Sequence, residues 1–311
     1  GPCVCNPEPV ADFFDIIILG EGEEVCLELN DLYCRHKKAG YQKERFLREA
    51  ARIEGVYVPS FYEVSYNDDG TVASVAPKDG APAKVRKCIV GDLNTAYYPK
   101  SFVVPYIDIV HDRAMSEIFR GCIRGCRFCQ AGFIYRPVRE KSPEVIDAQS
   151  RALCESTGYE EFSLSSLSTS DYTELESLLP RLLEWAEEKR TNISLPSLRI
   201  DGFSEELAAK LNVLRRSGLT FAPEAGTQRL RDAINKNLSE EEILETAKKA
   251  FSAGWTSVKL YFMNGLPTET MDDVAGIAAL GQKIVDCYYQ NPNKPKGKGV
   301  NVSISVACFV P

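Results

Sequence analysis

Between Met115 and Pro311 the sequence alternates regularly between short apolar runs and amphipathic stretches with helix signals, and this alternation constrains the fold more than any other feature. Six apolar runs have the length and composition of strands: Ser116–Phe119, Glu161–Ser165, Ile193–Ile200, Leu219–Ala222, Ser257–Phe262 and Val300–Val310. Successive strand–helix–strand units predict a parallel sheet with right-handed crossovers. The predicted fold class is therefore α/β, with a partial (β/α)6 TIM-like barrel whose chemistry lies at the carboxyl ends of the strands.

Start and stop signals bound the helices between these runs. Ser142 followed by Pro143 predicts a helix that ends at Gly158, and Ser239 with Glu242 forms a capping box before a helix that ends near Gly254. The other predicted helices are an apolar stripe from Leu175 to Trp185, a helix from Ser204 to Gly218, and one from Thr268 or Thr270 to about Tyr289.

The region before the barrel has a different pattern. An apolar run, Phe13–Leu19, precedes a Gly20-x-Gly22 turn and an amphipathic helix to about Lys38. Residues 56–75 predict a β-hairpin that turns at residues 67–70, and residues 85–111 predict an extended linker. We therefore divide the chain into residues 1–45, the end of an α/β domain; residues 46–113, a linker with a hairpin; and residues 114–311, a barrel truncated at its sixth strand.

Three cysteines, Cys122, Cys126 and Cys129, follow the first predicted strand of the barrel, with glycines at positions 121 and 125. A loop this short aims three thiolates at one metal centre, and glycines relieve the backbone where it turns tightly. A [4Fe–4S] cluster held by three cysteines leaves one iron open for chemistry. The alternatives are free thiols, or a zinc site completed by His111 or Cys88.

Charge is unevenly distributed along the 311 residues, whose net charge is −7. The segment 118–141 around the cysteines carries net +5, with one acidic residue, Glu140, and six basic ones: Arg120, Arg124, Arg127, Arg136, Arg139 and Lys141. Nearby cations stabilise an anionic cluster, whereas the remaining −12 is a poor match for a nucleic acid backbone. The sequence therefore indicates no nucleic acid partner.

The sequence has eleven cysteines, which is an odd count, and it has neither a signal peptide nor an apolar run long enough to span a membrane. These features predict a reducing, cytoplasmic location. The chain begins Gly1-Pro2 without methionine and stops directly after an apolar strand, so we expect a piece of a longer protein.

The C-x3-C-x2-C pattern, with the aromatic Phe128 before its third cysteine, resembles the radical S-adenosylmethionine (SAM) superfamily. The resemblance implies a [4Fe–4S] cluster on Cys122, Cys126 and Cys129, with SAM chelated at the open iron beside Phe128. It also implies reductive cleavage of SAM to a 5′-deoxyadenosyl radical that abstracts hydrogen from a substrate, and an electron donor of the flavodoxin or ferredoxin type. The substrate stays unknown.

Two later segments resemble those of methylthiotransferases, oxygen-independent coproporphyrinogen oxidases and cobalamin-domain radical SAM proteins. In these relatives an acid or amide lies beside the SAM ribose, and a basic residue twelve positions on reaches the carboxylate; here these are Glu224 and Lys236. The turn from Gly265 to Thr270 is similar to one whose strand frames the adenine, which makes Met263 and Gly265 candidates.

Other candidates for SAM contacts follow the second and third strands. Many members of the superfamily have Gly-Gly-Glu after the second strand, where this chain has Ser165 and Ser166 instead, so these serines are either substitutes or part of an ordinary polar loop. Arg199 faces the predicted mouth if side chains alternate along the third strand. It either pairs with the SAM carboxylate or forms a buried structural salt bridge.

The segment from Gly1 to Glu23 resembles the last βα units of the cobalamin-binding-like domain that precedes many radical SAM barrels. The Asp-x-His-x-x-Gly cobalamin signature is not in this chain, since neither histidine, His36 or His111, lies in one. The residues therefore do not support a cobalamin site. The alternatives to SAM cleavage and hydrogen abstraction are methylthio transfer, cobalamin-dependent methyl transfer to RNA or protein, and a non-catalytic zinc- or iron–sulfur-binding protein.

Overall fold

The computed structural model describes residues 4–107, 109–196, 200, 219–292, 294 and 297–310. The chain divides into two compact units, Gly1–Tyr97 and Tyr98–Pro311. The division at residues 45 and 113 that the sequence suggested stays a prediction. Among the described residues, no helix combines the length and the apolarity that crossing a bilayer requires.

The first unit contains short strands and two helices. In chain order these are β1 (Ile17–Ile18), α1 (Val25–Lys38), α2 (Lys43–Ala50), β2 (Val56–Tyr57), β3 (Tyr62–Tyr66) and β4 (Val72–Pro77). Strands β1 and β2 pair antiparallel, and β3 and β4 form the predicted hairpin. Gly20 has φ of +107°, and a Cβ there would lie 2.1 Å from the Cys88 carbonyl oxygen, so this position requires glycine.

The second unit begins with β5 (Ala114–Glu117), β6 (Phe119–Arg120), α3 (Ala131–Ile134), β7 (Arg139–Glu140), α4 (Pro143–Thr157), β8 (Glu161–Ser165), α5 (Leu175–Lys189) and β9 (Asn192–Ser194). It continues with β10 (Leu219–Glu224), α6 (Gln228–Ala233), α7 (Glu240–Ser252), β11 (Ser257–Asn264), α8 (Met271–Gln290) and β12 (Asn301–Cys308).

A strand overlaps each of the six predicted runs, in two three-stranded parallel sheets of order β5-β8-β9 and β10-β11-β12. The third run, predicted over Ile193–Ile200, is a strand only at its start, in β9, and residues 197–199 lie outside the described residues. The register aligns Glu117 with Ser165 in the first sheet and Asn264 with Cys308 in the second, so within each sheet the carboxyl ends of the strands lie together. The predicted helix from Ser204 to Gly218 lies outside the described residues.

The helix caps that the sequence predicts are present in the structure. The Ser142 hydroxyl accepts from the Val145 backbone N–H, and α4 ends at Gly158 in the left-handed conformation. Ser239 and Glu242 form the capping box that starts α7. Of the two threonines predicted to open α8, Thr270 does so, because its backbone N–H and hydroxyl both donate to Asp273 at 2.8 Å.

Each parallel sheet is covered by its own apolar core. Under the first sheet Phe162 and Trp185 stack with ring centroids 5.1 Å apart. Under the second, Phe221, Leu260 and Tyr288 belong to one buried cluster. Because one face of each sheet packs on such a core, the loops at the carboxyl ends of the strands are carried by rigid supports.

The turn after β10 lies against α8 at a contact that only glycine permits. A Cβ on Gly226 would lie 2.3 Å from the Ile277 backbone nitrogen and 2.6 Å from the Asp273 carbonyl oxygen. Gly276 on α8 faces the same turn, where its Cβ would lie 2.8 Å from Thr227 Cγ2. At Gly226 backbone meets backbone, so no side chain there can move aside.

We predict that Gly226→Ala lowers the free energy of unfolding by about 3 kcal/mol, because the added methyl group overpacks this contact. The control is Gly299→Ala, since a Cβ at Gly299 has its nearest neighbour 4.0 Å away. The control is expected to change stability by less than about 0.5 kcal/mol. Urea denaturation measures both, and equal values for the two variants would contradict the close packing.

Candidate active site

The three-cysteine loop leaves the barrel at Gly121, directly after β6. Gly121 has φ of +94°, and a Cβ there would lie 2.9 Å from the Tyr135 carbonyl oxygen and 3.0 Å from that of Pro137. The β6–β7 pairing of Phe119 with Glu140 closes the base of the loop. The glycine predicted to relieve the backbone before the first cysteine is thus required both by its φ and by its close contacts.

The β10–α6 segment holds one side of the loop. The Asn235 side-chain amide donates to the Gly125 carbonyl at 2.7 Å, although these residues are 110 positions apart in the chain. The Arg127 backbone N–H donates to the Ile234 carbonyl at 2.9 Å. A Cβ on Gly125 would lie 3.2 Å from the Asn235 amide nitrogen, so glycine admits this approach.

The segment after β8 holds the other side. The Arg124 guanidinium donates to both carboxylate oxygens of Asp171, with 3.0 Å between Nε and Oδ2. The Ser168 hydroxyl donates to the same carboxylate at 2.7 Å. Arginine matches a carboxylate in this two-bond geometry, which fixes direction as well as distance.

A cavity of about 260 Å³ lies between these supports. Its walls come from the cysteine loop, the segment after β8 and the segment after β10: Cys122, Arg124, Cys126, Phe128, Cys129, Leu167, Ser168, Ile200, Ala222, Glu224, Lys236 and Leu238. The three cysteines are half-buried and free of disulfides. Three thiols on one wall of a half-enclosed cavity are a donor set that suits an iron–sulfur cluster with one open iron.

Neither predicted fourth ligand for zinc lines this cavity. His111 lies beside Arg113, with 3.4 Å between its Nδ1 and the guanidinium, and the Cys88 thiol donates to the Leu19 and Glu21 carbonyls within the first unit. Within the described ranges, no three His, Cys, Asp or Glu side chains are placed to hold a single metal ion.

Glu224 and Lys236 meet in the lining of the same cavity. The Lys236 ammonium lies 3.1 Å from Glu224 Oε1, and the two side chains are only 11% and 16% exposed, respectively. The ammonium also lies 5.8 Å from the ring centroid of Phe128. Three of the residues predicted to contact SAM therefore converge on one place.

The backbone of Glu224 is strained. It has φ of +69°, and the β10–β11 register shifts between Phe221 and Glu224. A left-handed residue with a Cβ costs on the order of 1–2 kcal/mol and persists only where its surroundings enforce it. This bulge turns Glu224 toward the cavity at the carboxyl end of β10.

Of the other predicted contact residues, Ser165, Ser166, Met263 and Gly265 do not line this cavity. Ser165 accepts a backbone hydrogen bond from Ile118 at 3.0 Å, and the Ser166 hydroxyl bonds to that of Thr169 at 3.0 Å. Met263 packs against the apolar cluster of Ala225, Leu230, Ile234 and Leu266, which Phe128 also joins.

The Gly265 N–H donates to the Glu269 carboxylate at 2.8 Å. Arg199 lies outside the described residues. The roles of Ser165, Ser166, Arg199, Met263 and Gly265 toward SAM stay predictions.

Sequence reasoning missed the residues that support the loop. The sequence marks Arg124 as one of six cations, and its place between the first two cysteines is the signal for its role in the loop. Asp171 and Asn235 carry no local signal, because each acts on a loop far away in the chain. Ser168 and Leu167 line the cavity where the sequence pointed to the preceding serines.

Asp273 joins the turn after β10 to α8. Its side chain is 1% exposed and accepts from the hydroxyls of Thr227 and Thr270 and from the guanidinium of Arg229. Burial by itself would raise the pKa of this carboxyl, but these hydrogen bonds outweigh it and hold the pKa well below its usual range. The carboxylate is therefore an ionised anchor for the start of α6.

The comparisons with known proteins identify the class of this chain. The family model "Radical SAM superfamily" matches residues 116–281, and "Radical SAM proteins, N-terminal" matches residues 1–59. The chain belongs to the radical SAM superfamily, as its cysteine pattern predicted. Members of this superfamily are enzymes that carry a [4Fe–4S] cluster, bind SAM and take an electron from a donor.

Two similar proteins come from Methanocaldococcus jannaschii. An uncharacterised protein is 31% identical over 287 residues, which is 91% of this chain and 55% of that protein. A second, provisionally assigned as a methylthiotransferase, is 26% identical over 164 residues, which is 50% of this chain and 36% of that protein.

Solved structures share the fold. The radical SAM methyltransferase TsrM from Kitasatospora setae, with cobalamin and a [4Fe–4S] cluster bound, matches with a TM-score of 0.62 and 14% identity, over 96% of this chain and 53% of TsrM. The cobalamin-dependent radical SAM enzyme OxsB, with aqua-cobalamin bound, matches with a TM-score of 0.55 and 14% identity, over 88% of this chain and 37% of OxsB. These matches confirm the TIM-like α/β fold class. The chain spans about half the length of the uncharacterised relative and of TsrM.

We predict that Asp273→Asn lowers the free energy of unfolding by on the order of 2 kcal/mol at pH 7, because a neutral amide loses charge-assisted hydrogen bonds. A carboxylate with a lowered folded-state pKa contributes its stability above its unfolded pKa, about 4, and loses that contribution as pH falls through the folded value. The difference between wild type and variant should therefore be constant from pH 7 to about 5 and shrink below about 4.

The control is Asp272→Asn, an exposed neighbour on the same helix. Denaturant titrations at several pH values measure the difference for both variants. An Asp273→Asn difference that does not change with pH would show that the carboxyl is not an ionised anchor.

Proposed function

We propose that Cys122, Cys126 and Cys129 hold a [4Fe–4S] cluster and that the cavity beside them binds SAM for reductive cleavage to a 5′-deoxyadenosyl radical. One observation carries the proposal. The three thiols and the Glu224–Lys236 pair, from distant parts of the chain, line the same cavity. When bound, the cluster supplies one electron to the SAM sulfonium, and the resulting radical takes hydrogen from a substrate.

The chain's own residues have separable tasks in this proposal. The Lys236 ammonium pairs with the SAM carboxylate, and the Glu224 carboxylate accepts a hydrogen bond from a ribose hydroxyl, because these pairings match charge and polarity. The Phe128 ring covers the side of the cavity next to the third cysteine, 5.8 Å from the ammonium.

Apolar walls from Leu167, Ile200, Ala222 and Leu238 keep water from the space in which a radical would form. Arg124, which is paired with Asp171, places a positive charge near the three cysteines. Their thiolates and a bound cluster would together carry a net negative charge. An electron donor of the flavodoxin or ferredoxin type supplies the electron. The surface that binds this donor and the site that binds the substrate are properties of the whole protein.

A second candidate is cobalamin-dependent methyl transfer. It is supported by the fold shared with TsrM over 96% of this chain and by the match to an N-terminal radical SAM family. Methylthio transfer is supported by the 26% identical relative. Cobalamin titration into the whole protein distinguishes cobalamin-dependent methyl transfer from simple hydrogen abstraction. Counting iron per chain identifies methylthio transfer, because methylthiotransferases hold a second cluster.

We predict that anaerobically reconstituted protein binds about four irons and four acid-labile sulfides per chain and releases 5′-deoxyadenosine from SAM with dithionite. Replacing Cys122, Cys126 and Cys129 by alanine should abolish both, because no thiolate remains to hold the cluster. The control is Cys34→Ala, an exposed cysteine of α1. Bound zinc without sulfide would favour a zinc protein, and a cluster whose EPR signal ignores SAM would favour electron transfer alone.

We predict that Lys236→Met raises the KM for SAM by on the order of ten- to a hundredfold, because the SAM carboxylate loses a charge-assisted hydrogen bond. Glu224→Gln should raise it less, since the amide oxygen still accepts a hydrogen bond. Lys248→Met serves as the control because Lys248 is an exposed lysine of α7 paired with Glu245. Steady-state release of 5′-deoxyadenosine gives the three values, and an unchanged KM in Lys236→Met would remove Lys236 from the SAM site.

A further inference from the structure

The segment that carries the Glu224–Lys236 pair is strained at both ends. Glu224 has φ of +69°, and Lys236 stands between Asn235 and Asn237, with φ of +55° and +49°. Asparagine tolerates the left-handed region better than most residues, but glutamate does not. Two left-handed turns therefore aim the carboxylate and the ammonium at the cavity, and something must hold each turn.

The Arg231 side chain, 0% exposed, bonds to both turns. Its Nη1 donates to the Ala225 carbonyl at 3.1 Å, and Ala225 directly follows Glu224. Its Nε donates to the Leu238 carbonyl at 3.0 Å, and Leu238 directly follows Asn237. One rigid guanidinium thus spans the distance between the two strained turns.

A neighbouring side chain extends this connection to the next helix. The Gln228 side-chain oxygen accepts from Arg231 Nη2 at 3.1 Å and from the Glu240 backbone N–H at 2.9 Å. Glu240 is the first residue of α7. The guanidinium is therefore fixed to a longer helix and is not free to follow the turns if they relax.

Burying the charged guanidinium of Arg231 costs free energy that a residue serving only to fill space would not require. Burial lowers the pKa of its guanidinium, an effect that the charges of Glu240 and Asp232 partly offset. Its three acceptors named above are two carbonyls and an amide, none of them a carboxylate. An aliphatic side chain would fill the volume without burying a charge, but it would leave both turns without a common support.

We propose that Arg231 is a positioning residue for SAM: it holds the two left-handed turns so that Glu224 and Lys236 face the cavity together. The inference rests on the proposed function, because it assigns the pair to SAM. Arg231 does not line the cavity, so it acts through these two residues.

The test measures binding separately from turnover. The probe is S-adenosylhomocysteine, which keeps the carboxylate, amine and ribose of SAM but has no sulfonium to cleave. Its dissociation constant is measured by calorimetry on anaerobically reconstituted wild type, Arg231→Lys and Arg231→Met, together with the thermal midpoint and the iron content. Arg231→Lys keeps the charge but cannot bond both carbonyls in the fork geometry of arginine.

The matched control is Arg229→Gln. Arg229 lies on the same helix, but it bonds to Asp273 and to the Thr268 carbonyl and not to the two turns. We expect a dissociation constant about tenfold higher in Arg231→Lys at wild-type iron content, and a change of less than about twofold in Arg229→Gln. Asn235 belongs to one of the two turns and donates to Gly125, so the iron content of each variant reports whether the cluster loop keeps its support.

Each outcome decides a different point. A lower thermal midpoint in Arg231→Lys with wild-type affinity would make the residue structural only and overturn the inference. If Arg231→Met does not fold, Arg231→Lys carries the test alone. Wild type that holds its cluster but binds neither S-adenosylhomocysteine nor SAM would overturn the proposed function itself, a failure visible before any variant is compared.

Discussion

The bracing of one loop from two sides is the constraint on which the rest of this site depends. Three thiols can serve one cluster only if the backbone between them is held, and the eight-residue span from Cys122 to Cys129 has few internal hydrogen bonds to do so. Here the segment after β8 holds Arg124 through Asp171, and the segment after β10 holds the Gly125 carbonyl through Asn235. The parallel strands supply these supports because their carboxyl ends lie at one edge of each sheet.

Strain and buried charge are concentrated in the segment after β10. Left-handed Glu224, Asn235 and Asn237, the buried guanidinium of Arg231 and the ionised Asp273 all lie within or against it. Such features cost stability, and the packed core beneath the second sheet provides it. The pattern is typical of a site in which the direction of a few side chains matters more than local stability.

In the proposed function the cavity contacts the parts of SAM that every member of the superfamily shares, and this explains why the chain supports a class of chemistry better than a substrate. Its charged groups, Glu224 and Lys236, suit a ribose and a carboxylate, and its remaining walls are largely apolar. The chain spans about half the length of the uncharacterised relative and of TsrM, so elements that choose a substrate can lie in the parts of those proteins that this chain does not span.

The amino-acid sequence alone predicts the strand–helix alternation, the caps at Ser142 and Ser239, and the glycines and thiols of the cysteine loop, because these depend on periodicity and on neighbours a few residues apart. It also paired Glu224 with Lys236, since the two lie twelve positions apart in a recognisable segment. The residues that hold that loop and that pair are visible only in the folded chain. Asp171, Asn235 and Arg231 act through contacts with distant segments or through backbone carbonyls, and neither kind of contact leaves a periodic or spaced trace in the sequence.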